Sequence, residues 1–174
     1  GNGAKNAMQL AINEAGITPE QVDYINTHGT STPIGDLAEL KAIQNLFGEH
    51  AYRIHLTSSK SMTGHLLGGT GAVEAIISIL SMQHGIVTPT INHEEGDEDP
   101  NIDYKLNFTF NQAQQREIRY AMSNNFGFGG HNACLLFKRI WTTLNNIEHI
   151  KRGFAAYIFT VLFFKVLWLQ LRLV

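Results

Sequence analysis

Three short stretches hold side chains able to do chemistry. In 26–33, His28 leaves the end of a predicted strand and enters a turn of glycine and hydroxyl residues, Gly29, Thr30, Ser31 and Thr32. In 58–65, Lys60 and His65 lie close together in a loop that again follows a predicted strand. In 124–130, Phe126 and Phe128 sit among Asn124, Asn125, Gly127, Gly129 and Gly130. An imidazole donates or accepts a proton near neutral pH, a lysine supplies positive charge, and clustered glycines let a loop turn or swing. Taken singly, each stretch also has a plain structural reading: a turn histidine, a solvated lysine beside a helix-capping Thr63, and a simple turn.

Several other patterns fail on their chemistry. Gly69 and Gly71 are followed by Glu74 where a dinucleotide loop needs its third glycine, and Gly127 and Gly129 are followed by Asn132 at the same place. Asp97, Asp99 and Asn101 begin like a calcium loop, but Ile102 replaces the turn glycine and Phe108 stands where the bidentate glutamate belongs. His93 and Glu94 lack the second histidine of a zinc-protease helix. Cys134 falls in an alternating apolar run, where a thiol is a small core residue rather than a nucleophile.

The elements that must position the three stretches alternate along the chain. Ala4, Met8, Ala11 or Ile12, and Ala15 mark one helical face, stopped by Gly16. Thr18, Pro19 and Gln21 have the spacing of a capped start, and 22–27 reads as a short strand. Leu37, Leu40, Ile43 and Phe47 predict a helix over 35–47, and 53–58 a second strand. Both strands carry the chain to a strand end, where sites collect in α/β folds. The stretch 72–82 is apolar nearly all round, as in a helix buried between layers, and its one charge, Glu74, needs a partner there. Residues 88–107 read as an exposed connection, and 117–123 and 132–137 as strands flanking the Gly-rich loop.

Composition narrows the partners and the compartment. The 174 residues suffice for one ordinary core, and a net charge of -2 offers no basic field for nucleic acid. One cysteine excludes an internal disulfide framework and fits a reducing, cytoplasmic setting. The first ten residues resemble no signal peptide, and without an initiator Met the chain is expected to begin inside a longer protein. Beyond Arg139 the composition changes abruptly. The stretch 154–174 is strongly apolar but broken by Lys165 and Arg172, so its uncharged run is too short to span a bilayer. The segment 140–174 reads as foreign to the domain 1–139, for example out-of-frame or read-through sequence, with a membrane-surface helix as the alternative.

Taken together and in order, HGTSTPIGD, KSMTGHLLGGTGAVE, PTIN and NNFGFGGHNACLLFK resemble the β-ketoacyl-ACP synthases, in particular their bacterial fatty-acid-synthesis branch, over about 3–138. The resemblance implies an α/β fold, the C-terminal half of a thiolase-like αβαβα layered structure. It also implies a decarboxylative Claisen condensation between acyl-ACP and malonyl-ACP. His28 and His65 match the family's paired histidines and Lys60 its lysine, with Glu74 as the implied partner and Asp36 the second candidate. Phe128 matches the gate whose N–H completes an oxyanion hole, in a loop with Phe126, Gly127 and Gly129. Thr30 and Thr32 match hydroxyls that bind phosphopantetheine. No cofactor is required, though some members hold a structural monovalent cation near the positions of Asn26, Glu74, Ser123 and Asn124.

Two departures follow from the same resemblance. The family's nucleophilic cysteine lies in the N-terminal half and has no counterpart here, so this chain alone is expected to be inactive. Residues from Ile140 onward match nothing in the family. The resemblance implies acyl carrier protein as partner and a homodimer for the intact enzyme. A polyketide-type ketosynthase, a non-catalytic subunit like a chain-length factor, and a membrane-tethered protein are the competing readings.

Overall fold

Helix α1 (Asn2–Ala15) forms on the expected stripe, with Ala4, Met8 and Ile12 buried. Gly16 stops it at φ 64°, where a side chain would be strained, and the N–H groups of Gly16 and Ile17 close onto the carbonyls of Asn13 and Ile12. The computed structural model describes residues 1–96 and 98–140. Within it, Gly1–Arg139 forms one compact unit. The tail expectation, beyond Ile140, lies outside the described residues.

The capped start at Thr18 is present, with the Thr18 N–H donating to Gln21 Oε1 at 3.0 Å, but it opens a single 3-10 turn, Pro19–Gln21. Then come β1 (Tyr24–Asn26), α2 (Pro33–Phe47), β2 (His55–Thr57), the one-turn α3 (Lys60–Thr63) and α4 (Thr70–His84). The short strands β3 (Ile86–Val87) and β4 (Gln114–Gln115) pair with each other, and β5 (Tyr120–Phe126) and β6 (Asn132–Lys138) close the main sheet.

That sheet has the order β2-β1-β5-β6. Its first three strands are parallel, and β6 is antiparallel at one edge. Beyond β2, the segment around Phe108 runs parallel to it through one bridge at Leu56. Helices α1 and α2 cover one face, where Met8, Ile12, Leu40 and Ile43 meet Ile25, Leu56 and Met122. Helix α4 covers the other, where Met82 meets Tyr24 and Ala121. Strand β1 is buried on both faces, as in sheets with helices on each side.

Three sequence expectations change in the structure. Strands β1 and β2 are shorter than 22–27 and 53–58, because pairing covers only their middles. Strand β5 lies three residues later than 117–123. Asp23 Oδ2 takes the Arg119 and Tyr120 N–H groups and ends the ladder there, while Asn124, Asn125 and Phe126 pair onward with Cys134, Ala133 and Asn132. Helix α4 buries one face on the sheet, but Ile76 (55% exposed) and Leu80 (45%) are open on the other, so it is covered on one side only. Among the described residues no helix is long and apolar enough to cross a membrane.

Candidate active site

The site forms where β1 and β2 end side by side. Asn26 is locked to the second strand's exit: its amide donates to Ser59 Oγ at 3.0 Å, and the Ser59 N–H donates to Asn26 Oδ1 at 3.2 Å. After Thr27 the chain turns sharply. Gly29 is needed at the turn, since its φ is 31° and a β-carbon there would lie 2.7 Å from Ser58 Cβ. Ser58 Oγ–H donates to the Gly29 carbonyl at 2.7 Å, joining the two motif turns directly.

A residue that the sequence reading missed holds the histidine turn. Glu39, buried on α2, accepts the His28 N–H on Oε1 and the Gly29 N–H on Oε2, each at 3.0 Å. Asn124 Nδ2 donates to the same Oε1 at 3.0 Å. Burial raises the Glu39 carboxyl's pKa, and these three donors offset part of that pull. One signal was available: Glu39 lies next to Leu40 and three residues after Asp36 on the helix stripe that also holds Ile43 and Phe47, where an acid is costly unless it is used.

The two histidine rings are brought together. Their centroids are 5.6 Å apart at an interplanar angle of 86°, and Phe126 packs on His28 at 5.5 Å. His65 Nδ1 accepts the Leu67 N–H at 3.0 Å and lies 3.1 Å from Thr70 Oγ1. An Nδ1 that accepts a backbone N–H is unprotonated, so the neutral ring carries its hydrogen on Nε2. His28 is held neutral. Burial, then the charge of Lys60, then His65 lower its pKa to about 4.

Lys60 Nζ donates to Glu74 Oε1 at 2.6 Å, with both side chains buried, and Asn125 Nδ2 donates to Glu74 Oε2 at 3.2 Å. This answers the partner required for a buried Glu74. Asp36, the second candidate, makes no ion pair with Lys60. Its carboxyl is pushed up by burial, and the backbone amides of Thr32, Thr30 and Ser31 draw it back down. Thr30 and Thr32 lie on the solvent side with their hydroxyls 3.2 Å apart.

The Gly-rich loop is shorter than the sequence suggested, since β5 runs through Phe126. The Gly127 N–H donates to the His131 carbonyl at 2.7 Å, and Gly129 and Gly130 have φ values of 78° and 84°. Phe128 is 100% exposed, so the described chain does not bring it onto the histidines. Cys134 packs beside the α1 side of the core, and its thiol is raised to about 12, chiefly by burial.

The four residues named for a cation do not share one face. Asn26 and Ser123 are paired across β1 and β5, in line with Tyr24 and Ala121, and therefore face α4 and Glu74. Asn124, the next residue along the strand, points the other way, to Met8 and Glu39. Ser123 Oγ is buried without a hydrogen-bond partner, and an unclaimed hydroxyl suits a hard cation. The side-chain donors that fit are Asn26, Ser123 and Glu74; Asn124 is withdrawn as a side-chain donor.

The chain has known relatives. Residues 1–94 match the family model described as β-ketoacyl synthase, C-terminal domain. The 3-oxoacyl-(acyl-carrier-protein) synthase 2 of Staphylococcus aureus (strain COL) is 55% identical over 139 residues, covering 80% of this chain and 33% of that protein. The enzyme of the same name from Coxiella burnetii is 47% identical over 139 residues, again covering 80% and 33%. This chain thus spans about a third of the length of the curated relatives it matches. Among solved structures, a β-ketoacyl synthase from Burkholderia phymatum superposes with a TM-score of 0.72 at 40% identity, over 79% of this chain and 32% of that one. A type II PKS acyl-carrier protein in complex with its ketosynthase, bound to the hexaketide, gives 0.74 at 33% identity, over 79% and 33%.

Proposed function

Because the chain belongs to the β-ketoacyl synthase C-terminal domain family and has the C-terminal half of its thiolase-like α/β fold, we propose that it supplies the decarboxylation half of a condensing site. In this reading the malonyl thioester of malonyl-ACP breaks its carboxyl–carbon bond and releases CO₂. The electron pair passes to the thioester oxygen as an enolate. That carbon then attacks an acyl thioester held on a cysteine supplied outside this chain, forming the new carbon–carbon bond and expelling the cysteine thiolate. His28 and His65 donate ring N–H bonds to the growing enolate oxygen, stabilising charge that exists only as the reaction proceeds.

The observation that carries this reading is the adjacency of two imidazole rings, 5.6 Å between centroids, with His65 Nδ1 occupied by the Leu67 amide so that its Nε2 is left to donate. A neutral imidazole donates without handing over its proton, which suits a step whose product must remain nucleophilic. Burial, and after it the charge of Lys60 in its pair with Glu74, keeps His28 deprotonated. Thr30 and Thr32 present hydroxyls to a phosphopantetheine arm. Phe128, with Phe126, Gly127 and Gly129, forms a gate that would fold inward on an acyl chain. A monovalent cation held by Asn26, Ser123 and Glu74 would supply fixed charge alone, and no step requires it.

Fatty acid elongation is the pathway we favour, because the relatives with 55% and 47% identity are named 3-oxoacyl-(acyl-carrier-protein) synthase 2. The likeness to a polyketide ketosynthase complex supports the second reading, a polyketide-type condensation on the same machinery. A chain-length-factor-like role is disfavoured, since a subunit that decarboxylates nothing has no need of two histidines aligned beside a buried Lys–Glu pair. Acyl carrier protein as partner, a homodimer and a cytoplasmic location complete the proposal.

The test is CO₂ release from malonyl-ACP by a complete enzyme carrying this chain. His28→Ala or His65→Ala should lower it by at least about 100-fold, the scale of losing one oxyanion donor. Near-normal release would remove the enolate role. The 174-residue chain by itself should condense nothing, and turnover of acyl-ACP with malonyl-ACP would reveal a nucleophile within it.

A further inference from the structure

The two rings of the site are held by different means. His65 is fixed through a ring nitrogen, since its Nδ1 accepts the Leu67 N–H at 3.0 Å. His28 has no such hold, because its Nδ1 is buried without a hydrogen-bond partner. Glu39 grips the backbone N–H groups of His28 and Gly29, not the imidazole. The last side-chain torsion of a histidine is broad, so a fixed backbone leaves the ring free to turn unless packing stops it.

That packing comes from two rings. The Phe126 centroid lies 5.5 Å from that of His28 at an angle of 55°, and the His65 centroid lies 5.6 Å away at 86°. Tilted and edge-on contacts of this kind are the favoured ones between rings, and each opposes rotation of the imidazole. Phe126 is itself well anchored. It pairs with Asn132 as the last rung between β5 and β6, and its side chain packs against the core cluster that holds Ile25 and Met122. Just beyond it the Gly127 N–H donates to the His131 carbonyl at 2.7 Å, which ties off the loop behind Phe126. The left-handed glycines, Gly129 and Gly130, lie outside that tie.

We propose that Phe126 is a positioning residue for His28: its ring, anchored at the end of β5, stops the imidazole from turning and keeps Nδ1 inward, which leaves Nε2 to face a substrate. This role is separate from the gate. The loop swings beyond the Gly127–His131 tie while Phe126 stays in place. The inference rests on the reading of His28 as a donor to the enolate oxygen.

The test uses a complete enzyme carrying this chain, with CO₂ release from malonyl-ACP as the assay. Phe126→Leu keeps an apolar side chain and loses the flat ring. It should lower kcat about tenfold or more and leave KM within about twofold, since misdirecting a catalytic group costs rate rather than binding. Phe126→Tyr, which restores the ring, should recover most of the loss. In a His28→Ala background Phe126→Leu should cost nothing further, because a residue that acts only through His28 has nothing left to act on. A loss that persists in full in that background would assign Phe126 to the gate or to general packing and overturn the inference. NMR of labelled histidines supplies the geometric readout: the contact between His28 and His65 ring protons should weaken in Phe126→Leu, and a contact of parent strength would also overturn it. If Phe126→Leu does not fold, Phe126→Met is read by the same assays. An unchanged kcat in the Phe126 variant, with a large loss in His28→Ala, sinks the positioning role alone. Near-normal release in His28→Ala sinks the enolate reading and this inference together.

Discussion

At the scale of single residues, His28 links the site to the stability of the chain. Its folded value is lowered from 6.5 to about 4, so the unfolded chain takes up a proton before the folded chain does. Stability that His28 contributes is present above about 6.5 and is lost as the pH falls toward about 4. Glu39 and Glu74 are shifted upward by burial, so their effect has the opposite sign and weakens the fold as pH rises through their raised values. A comparison with His28→Asn isolates the ring. Between pH 6.5 and 4 the urea midpoint of the parent should fall more steeply than that of the variant, and parallel curves would mean that His28 titrates like a free imidazole.

At the scale of elements, two glycines with positive φ separate local strain from crowding. At Gly16, φ is 64° and no atom lies within 4 Å of where a β-carbon would stand, so Gly16→Ala should cost only about 1 kcal/mol, the penalty of a left-handed alanine. Gly29→Ala adds a collision with Ser58, whose Cβ would be 2.7 Å away, and should cost clearly more while also displacing the His28 turn. Urea unfolding of the two variants checks the order. Equal losses would show that the β1 and β2 exits are not clamped together as Ser58 and Gly29 indicate.

At the scale of the molecule, the described chain presents one layer of helices, the four-stranded main sheet and a second helical layer that is covered on one side only. Ile76 and Leu80 on α4, with Leu66 and Leu67 before it, remain open to solvent at 55%, 45%, 46% and 77%. Apolar surface of this kind drives association when left bare. The 174-residue chain should therefore self-associate, and Ile76→Lys with Leu80→Glu should shift it toward monomer without lowering its urea midpoint. Sedimentation velocity reads the outcome; unchanged association would place the sticky surface elsewhere.

Much of this was determined by local rules that act within a few residues. The stop at Gly16, the Thr18–Gln21 box, the stripes of α1 and α2 and the need of Glu74 for a partner all follow from spacing and from the cost of burying charge. The order of the motifs was enough to bring His28, Lys60 and His65 into one family pattern. What only the tertiary structure decided were contacts between residues far apart in the chain. Glu74, not Asp36, took Lys60, because α4 crosses the sheet beside β5 and the Asn125 amide. Glu39 became the clamp of the histidine turn, and Asn124 and Asn125 parted to opposite faces once pairing with β6 extended β5 through them. Side-chain direction on a strand alternates with every residue, and that alternation has no meaning until the neighbouring strand and helices are in place.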